Sequence, residues 1–339
     1  MRFQLFFGLF ALFVASIQAL SAQVFRLPDQ PGASENAVRL LEYRGQLFLV
    51  TSRHVYQKKK AGFELLYSAP ATLRDAEIAG HTLWLGADDG LWQWTPDAGS
   101  APRQTRLVRN GVTALAPGEK NGDLLVATAA EGAFTLRDTQ VVRTWVLNTR
   151  IEDACTVGGY TWLGTEAGLL RISADSFVQK YAEEGVAGFE IPDNIVTHLF
   201  RAGPTTLAVV MPEALAFFPI TKGVAPAHGE HFDFLGEHGN TVRDLAQRPG
   251  GDFVFCTDKG VLWLSGAFLN EPHRETASTE VYDNSKNPKA RKLPLAALLP
   301  GETDAADNWD TAFFDAVGNL WLANSHAVAR IPKKKLKGL

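Results

Sequence analysis

The stretch TWLGTEAGLL, Thr161 to Leu170, decides the fold. It runs apolar segment, small residue, glycine-containing turn, apolar segment, which is the pattern of a β-hairpin. Six relatives share the plan: LFLVTSRHVY from Leu47, LWLGADDGLW from Leu83, LLVATAAEGAF from Leu124, LAVVMPEALAF from Leu207, FVFCTDKGVLW from Phe253 and LWLANSHAVA from Leu320. A repeat of roughly 40–45 residues with four strands per unit is the sign of a β-propeller. Seven copies predict an all-β fold, a seven-bladed propeller of four-stranded antiparallel blades.

Each hairpin is preceded by a further short strand, taken as the innermost of its blade: VRLLEY from Val38, LRDAEI from Leu73, VTALAP from Val112, IEDACT from Ile151, VTHLFR from Val196, VRDLAQ from Val242 and WDTAFF from Trp309. Strand two is apolar on both faces, as in Leu83-Trp84-Leu85, where a sheet with one wet face would alternate. A blade sandwiched between two neighbours accounts for this. Trp84, Trp162 and Trp321 share one column and are expected to pack between blades. Val50, Gly86, Ala127, Gly164, Val210, Cys256 and Ala323 share the next, whose small size implies crowding. A fourth, more polar strand is expected at Phe63–Tyr67, Arg103–Val108, Val141–Leu147, Phe177–Tyr181, His231–Leu235 and, in blade six, near Thr279–Tyr282.

The two ends differ from the repeats. Met1 to Ala22 carries one charge, Arg2, an apolar stretch from Leu5 to Ala15, and ends Leu20-Ser21-Ala22. This reads as a cleaved secretory signal peptide; the apolar stretch is shorter than the ~20 residues of a spanning helix. The expected organisation is therefore a signal peptide at 1–22, a propeller at 23–332 with an insertion at about 268–307, and a solvated basic tail at 333–339. Blade seven lacks an outer strand of its own, and Gln23-Val24-Phe25-Arg26-Leu27 is the run predicted to supply it and close the ring. The chain is expected in the periplasm or outside the cell, with no membrane span in its mature form.

The formal net charge of −4 gives no reason to expect nucleic acid. Two cysteines in an exported chain do not make a disulfide framework. Cys155 and Cys256 fall two blades apart and are expected as separate thiols, Cys256 buried.

IPDNIVTHLF from Ile191, DAVGNLWLANSHAVARI from Asp315, LWLGADDGLWQW and TWLGTEAGLLRI together make the repeats resemble the two-component regulator propeller repeats of bacterial sensor proteins. That resemblance covers nearly the whole mature chain. It implies the periplasmic ligand-sensing half of a sensor, and so binding rather than catalysis. With no membrane helix or kinase read after Ile331, any signalling is expected to need a separate partner. The family's motif residues are scaffold, and the resemblance transfers no ligand site.

Candidate chemistry lies where the inner strands converge on the channel mouth. The second and third columns of those strands read Arg39-Leu40, Arg74-Asp75, Thr113-Ala114, Glu152-Asp153, Thr197-His198, Arg243-Asp244 and Asp310-Thr311. Arg39, Arg74, Asp75, Asp153, His198, Arg243 and Asp310 are the candidate ligand contacts. Adjacent Arg and Asp can hydrogen-bond sugar hydroxyls, and Trp309 can stack on a ring. In the competing reading, Asp75, Asp153 and Asp244 recur at one repeat position because they fasten blades together. The turns between strands two and three carry His54, Asp88, Asp89, Glu131, Glu166, Glu213, Asp258 and His326. Such a rim can hold Ca²⁺, though acidic residues in tight turns are more often turn formers, and no cofactor or metal is expected. His228, His231 and His238 with Asp233 fit no zinc spacing. No nucleophile elbow, phosphate loop, HExxH or CxxC is present.

The leading expectation is a non-catalytic propeller that binds a small molecule, an oligosaccharide or a separate protein. The alternative is an extracellular carbohydrate-active lyase or hydrolase that uses the channel-mouth carboxylates and His198.

Overall fold

Seven four-stranded antiparallel sheets make up the molecule. The computed structural model describes residues 21–337 apart from 29–34, 97–98, 109, 186–188, 213, 222–229, 233–238, 250, 268–289 and 301–307. The leader, Glu213 and most of the His228–His238 cluster lie outside the described residues.

Blade four is the simplest instance: Asp153–Val157, Tyr160–Thr165, Gly168–Ile172 and Val178–Tyr181, each strand pairing with the next. Its first hairpin turns on Gly158 and Gly159, with φ of 63° and 81°. Two consecutive positive φ values are what a tight two-residue hairpin needs and what side chains resist. Strand one of every blade runs from what we call the mouth face to the far face. The turns between strands two and three return to the mouth face.

The core is split into seven buried apolar clusters, one in each wedge between consecutive blades. Trp84 packs toward blade three, Trp162 toward blade five and Trp321 toward blade one. Each large side chain buried this way contributes about 1.5–3 kcal/mol. The small column is crowded as expected: a Cβ on Gly86 would lie 2.5 Å from Val112 Cγ1, and one on Gly164 2.7 Å from Val196 Cγ1. Cys155 and Cys256 are both free and buried.

The seventh sheet is completed by the beginning of the chain. Gln23–Arg26 pairs antiparallel with Ala327–Ile331, Gln23 opposite Arg330 and Arg26 opposite Ala327. Phe25 stacks on Trp321 with ring centroids 6.3 Å apart and meets Phe63 edge-on at 6.1 Å. One aromatic ring thus ties the latch to blades seven and one.

Three regions differ from expectation. The outer strand of blade six is Arg291–Lys292, paired with Trp263 and Leu262; the expected Thr279–Tyr282 lies outside the described residues. A helical turn, Leu295–Leu298, follows, and it buries Leu295 and Leu298 against blade seven. The basic end is a 3-10 turn, Lys333–Leu336, held by buried Leu336 and by the Lys333 N–H donating to Asn319 Oδ1 at 3.0 Å. Lys333 and Lys334 are exposed, while Leu336 and half-buried Lys335, whose Nζ donates to Leu298 O at 3.2 Å, anchor the turn. No helix among the described residues is long and apolar enough to cross a membrane.

Candidate functional site

The innermost strand of each blade is an edge, with one row of backbone N–H groups facing the channel and no further strand to receive them. Unpaired edge donors are costly when buried and invite association when exposed. Three aspartates meet this need in pairs. Asp75 accepts from the Ala76 N–H of its own strand at 2.7 Å and from the Leu115 N–H of blade three at 2.8 Å. Asp153 does the same for Ala154 and for Leu199 of blade five, both at 2.7 Å. Asp244 takes Leu245 at 2.8 Å, Ala312 of blade seven at 3.0 Å and the Thr311 hydroxyl at 2.5 Å. Each carboxylate therefore clasps two neighbouring blades, and the three together cover six of the seven inner strands.

Blade one is the odd member. A bulge between Ala37 and Arg39 sets Arg39 opposite Val50, level with Asp75 opposite Gly86 and Asp244 opposite Cys256. The expected column is thus shifted by one residue in this blade. Arg39 takes the place of an aspartate, and its Nε and Nη2 donate to Asp75 Oδ1 at 2.9 and 2.6 Å. Its side chain remains 36% exposed to channel solvent. The Asp75 charge, followed by Asp244, raises the guanidinium above its ordinary affinity for protons. Asp153 has no such partner: burial, then the charge of Asp75, push its carboxyl up to about 7. Burial likewise raises Asp244, and raises Glu77, two residues beyond Asp75, to about 7. His198 stands level with these groups in blade five, 43% exposed, its Nδ1 3.9 Å from Asp153 Oδ2. Burial, followed by the charge of Arg39, holds its imidazole below the usual value.

The preceding column points to the mouth rim, because in blades two and six it is the bulged position. Arg74 forks onto Asp88 at 2.6 and 3.0 Å and is 54% exposed. Arg243 contacts Asp258 at 2.8 Å, Asn308 at 2.7 Å and Asp310 at 3.1 Å. Asp310 also accepts from the Ala37 N–H at 2.9 Å, which ties blade seven to blade one. A third fork, Arg150 with Glu152, lies near enough for its charge to act on Arg74. Arg150 was missed because it precedes its inner strand, in the linker from blade three. Trp309 does not reach the mouth: it is fully buried between blades six and seven and cannot stack on a ligand.

The rim turns carry Asp88, Glu131 and Asp258 in contact with Arg74, Asn110 and Arg243. Among the described residues no group of three or more His, Cys, Asp or Glu side chains is placed to hold a metal ion. Two grooves open away from the mouth. One, of about 580 Å³, lies between blades one and two beside Tyr67 and Trp94; the other, of about 350 Å³, is on the far face beside Lys58 and Trp321.

No protein-family model and no curated protein matches the chain. Solved structures do. The extracellular domain of the hybrid two-component system BT3049 from B. thetaiotaomicron superposes with a TM-score of 0.66 at 13% identity, over 94% of this chain and 42% of that one. That of BT4673 from the same organism gives 0.64 at 14%, over 92% and 40%. Streptogramin B lyase gives 0.64 at 10%, over 91% and 96%. The chain spans about two fifths of the length of those two extracellular domains. These similarities establish the propeller fold.

Proposed function

We propose that this is an exported, non-catalytic binding propeller whose ligand docks at the channel mouth. The observation that carries this reading is the division of labour among the charges. Asp75, Asp153 and Asp244 spend their oxygens on the backbone of adjoining blades, whereas Arg74 and Arg243 stand at the surface above them and His198 is half-exposed level with them. The contact surface is formed by Arg74, Arg243 and His198, with Arg39 below and Asp310 beside Arg243. The Arg–carboxylate forks suit a hydroxyl-rich small molecule or oligosaccharide, since each presents a donor and an acceptor side by side. Likeness in fold to extracellular sensor domains supports binding over turnover, and with it periplasmic or secreted placement and a separate protein partner for any signal.

One observation favours the enzyme alternative. A carboxyl held near 7 beside an imidazole is the pairing a general acid–base step uses. Streptogramin B lyase shows that a propeller of this kind can be an enzyme. The decisive experiment is a thermal-shift and product screen of the exported chain against oligosaccharides. Binding predicts stabilisation without cleavage, abolished in Arg74→Ala/Arg243→Ala. Cleavage that disappears in Asp153→Asn would establish the enzyme instead.

A further inference from the structure

The far face of blades seven and one concentrates positive charge that the chain as a whole does not have. Arg44, Lys58, Lys59, Arg330, Lys333 and Lys334 all lie there, with Lys60, Lys335 and Lys337 beside them. The nearby carboxylates are Glu42, Glu64 and Asp315, in a chain whose formal net charge is −4. The cations come from separate segments. Lys58 to Lys60 end strand three of blade one and begin its turn, Arg330 ends strand three of blade seven, and the last group sits on the terminal 3-10 turn. Lys58 and Arg330 are close enough that the Arg330 charge, after burial, lowers the Lys58 ammonium below its usual value. Like charges held together cost stability; Lys58 and Arg330 are held there over the Phe25 and Trp321 rings, at 4.3 and 5.8 Å, and Lys335 Nζ donates to Leu298 O at 3.2 Å, while Lys60, Lys334 and Lys337 are exposed.

Two further features share this face. Val317, in the Asp315–Gly318 turn of blade seven, is 69% exposed, the most exposed large apolar side chain described. The chain also enters the propeller here. Gln23 pairs with Arg330 at the far end of the sheet, so the latch strand begins on the basic side.

We infer that the far face of blades seven and one is a docking surface for an anionic lipid bilayer. Clustered Lys and Arg attract anionic headgroups, each contributing about a fivefold gain in partitioning, and an exposed apolar tip adds shallow insertion. The charge holds this face against the bilayer. The channel mouth then points away from the membrane, toward any ligand.

Flotation of the exported chain, residues 23–339, with vesicles tests this directly. The chain should float with phosphatidylcholine vesicles containing about a third phosphatidylglycerol and not with phosphatidylcholine alone, and added salt should release it. Lys60→Glu/Lys334→Glu should weaken partitioning at least about 30-fold with unchanged melting temperature. Lys60→Gln/Lys334→Gln should show a smaller loss. Equal flotation with both vesicle types, or none with either, would overturn the inference. So would capture on a soluble polyanion such as dextran sulfate without flotation, which would assign the face to an acidic polymer.

Discussion

The seam between blades four and five and the seam between blades seven and one solve the same problem differently. At the first, the chain runs on from one blade to the next. One carboxylate, Asp153, joins the inner strands, while Trp162 and Phe218 fill the wedge with centroids 6.3 Å apart. At the second, the chain also runs on, from Gln23–Arg26 to Ala37 of blade one, but the break between the two chain ends falls inside blade seven, beside Ala327–Ile331. There the outer strand is borrowed from Gln23–Arg26, Phe25 bridges Trp321 and Phe63, and Asp310 replaces the clasp by reaching Ala37. Three aspartates serve six inner strands, and the seventh, beside the closure, carries Arg39 in place of an acid.

The largest expected effect comes from breaking the closing seam. Deleting residues 23–27 removes the ladder and Phe25 together. The melting temperature should fall by more than about 10 °C, with the loss of a single cooperative transition in calorimetry. Asp75→Asn comes next. It leaves Arg39 without its partner and cannot accept all the donors Asp75 serves, so chemical denaturation should show a loss of about 3 kcal/mol. Gly164→Val tests the crowding at the continuous seam, where overpacking against Val196 should cost about 1–3 kcal/mol. Arg74→Ala should change stability by less than about 0.5 kcal/mol, because an exposed fork contributes little, while it removes the ligand response.

The pH dependence of the first seam has a definite sign. Asp153 in the folded chain binds its proton up to about 7, well above an unfolded aspartate. Its contribution to stability is therefore complete below the ordinary aspartate range. It is lost as pH rises through that range to about 7, since the native state holds the extra proton. Wild type should lose melting temperature from pH 4.5 to 7.5 relative to Asp153→Asn, in which this component of the slope is absent. A wild-type-minus-variant difference that is flat, or that rises with pH, would remove Asp153 from the account.

Much of the fold was legible in the sequence because blade packing imposes a pattern on each repeat. The doubly apolar second strands, the tryptophan column and the crowded glycine column all follow from a sheet buried on both faces. The outer strands were less so. They pair on one edge only, and that of blade six is two residues long, Arg291–Lys292, after a long insertion. In the candidate site, the repetition of Asp75, Asp153 and Asp244 pointed to a structural role, which their bonds across blades bear out. Arg39 was placed one residue out of column because the inner strand of blade one begins at Ala37, so that Ala37 rather than Val38 is the counterpart of Leu73 and Val242. Trp309 was misjudged for a related reason: it precedes the paired strand, and the chain there turns it into the wedge.

The central claim is that these aspartates join neighbouring blades, and the amide of Leu199 reports on it most directly. Its N–H faces the channel and donates to Asp153 Oδ2 at 2.7 Å. Hydrogen exchange should show Leu199 protected in the wild type and strongly deprotected in Asp153→Ala, with the amides of Tyr160–Thr165 in the blade-four ladder still protected. Unchanged protection of Leu199 in that variant would contradict the account.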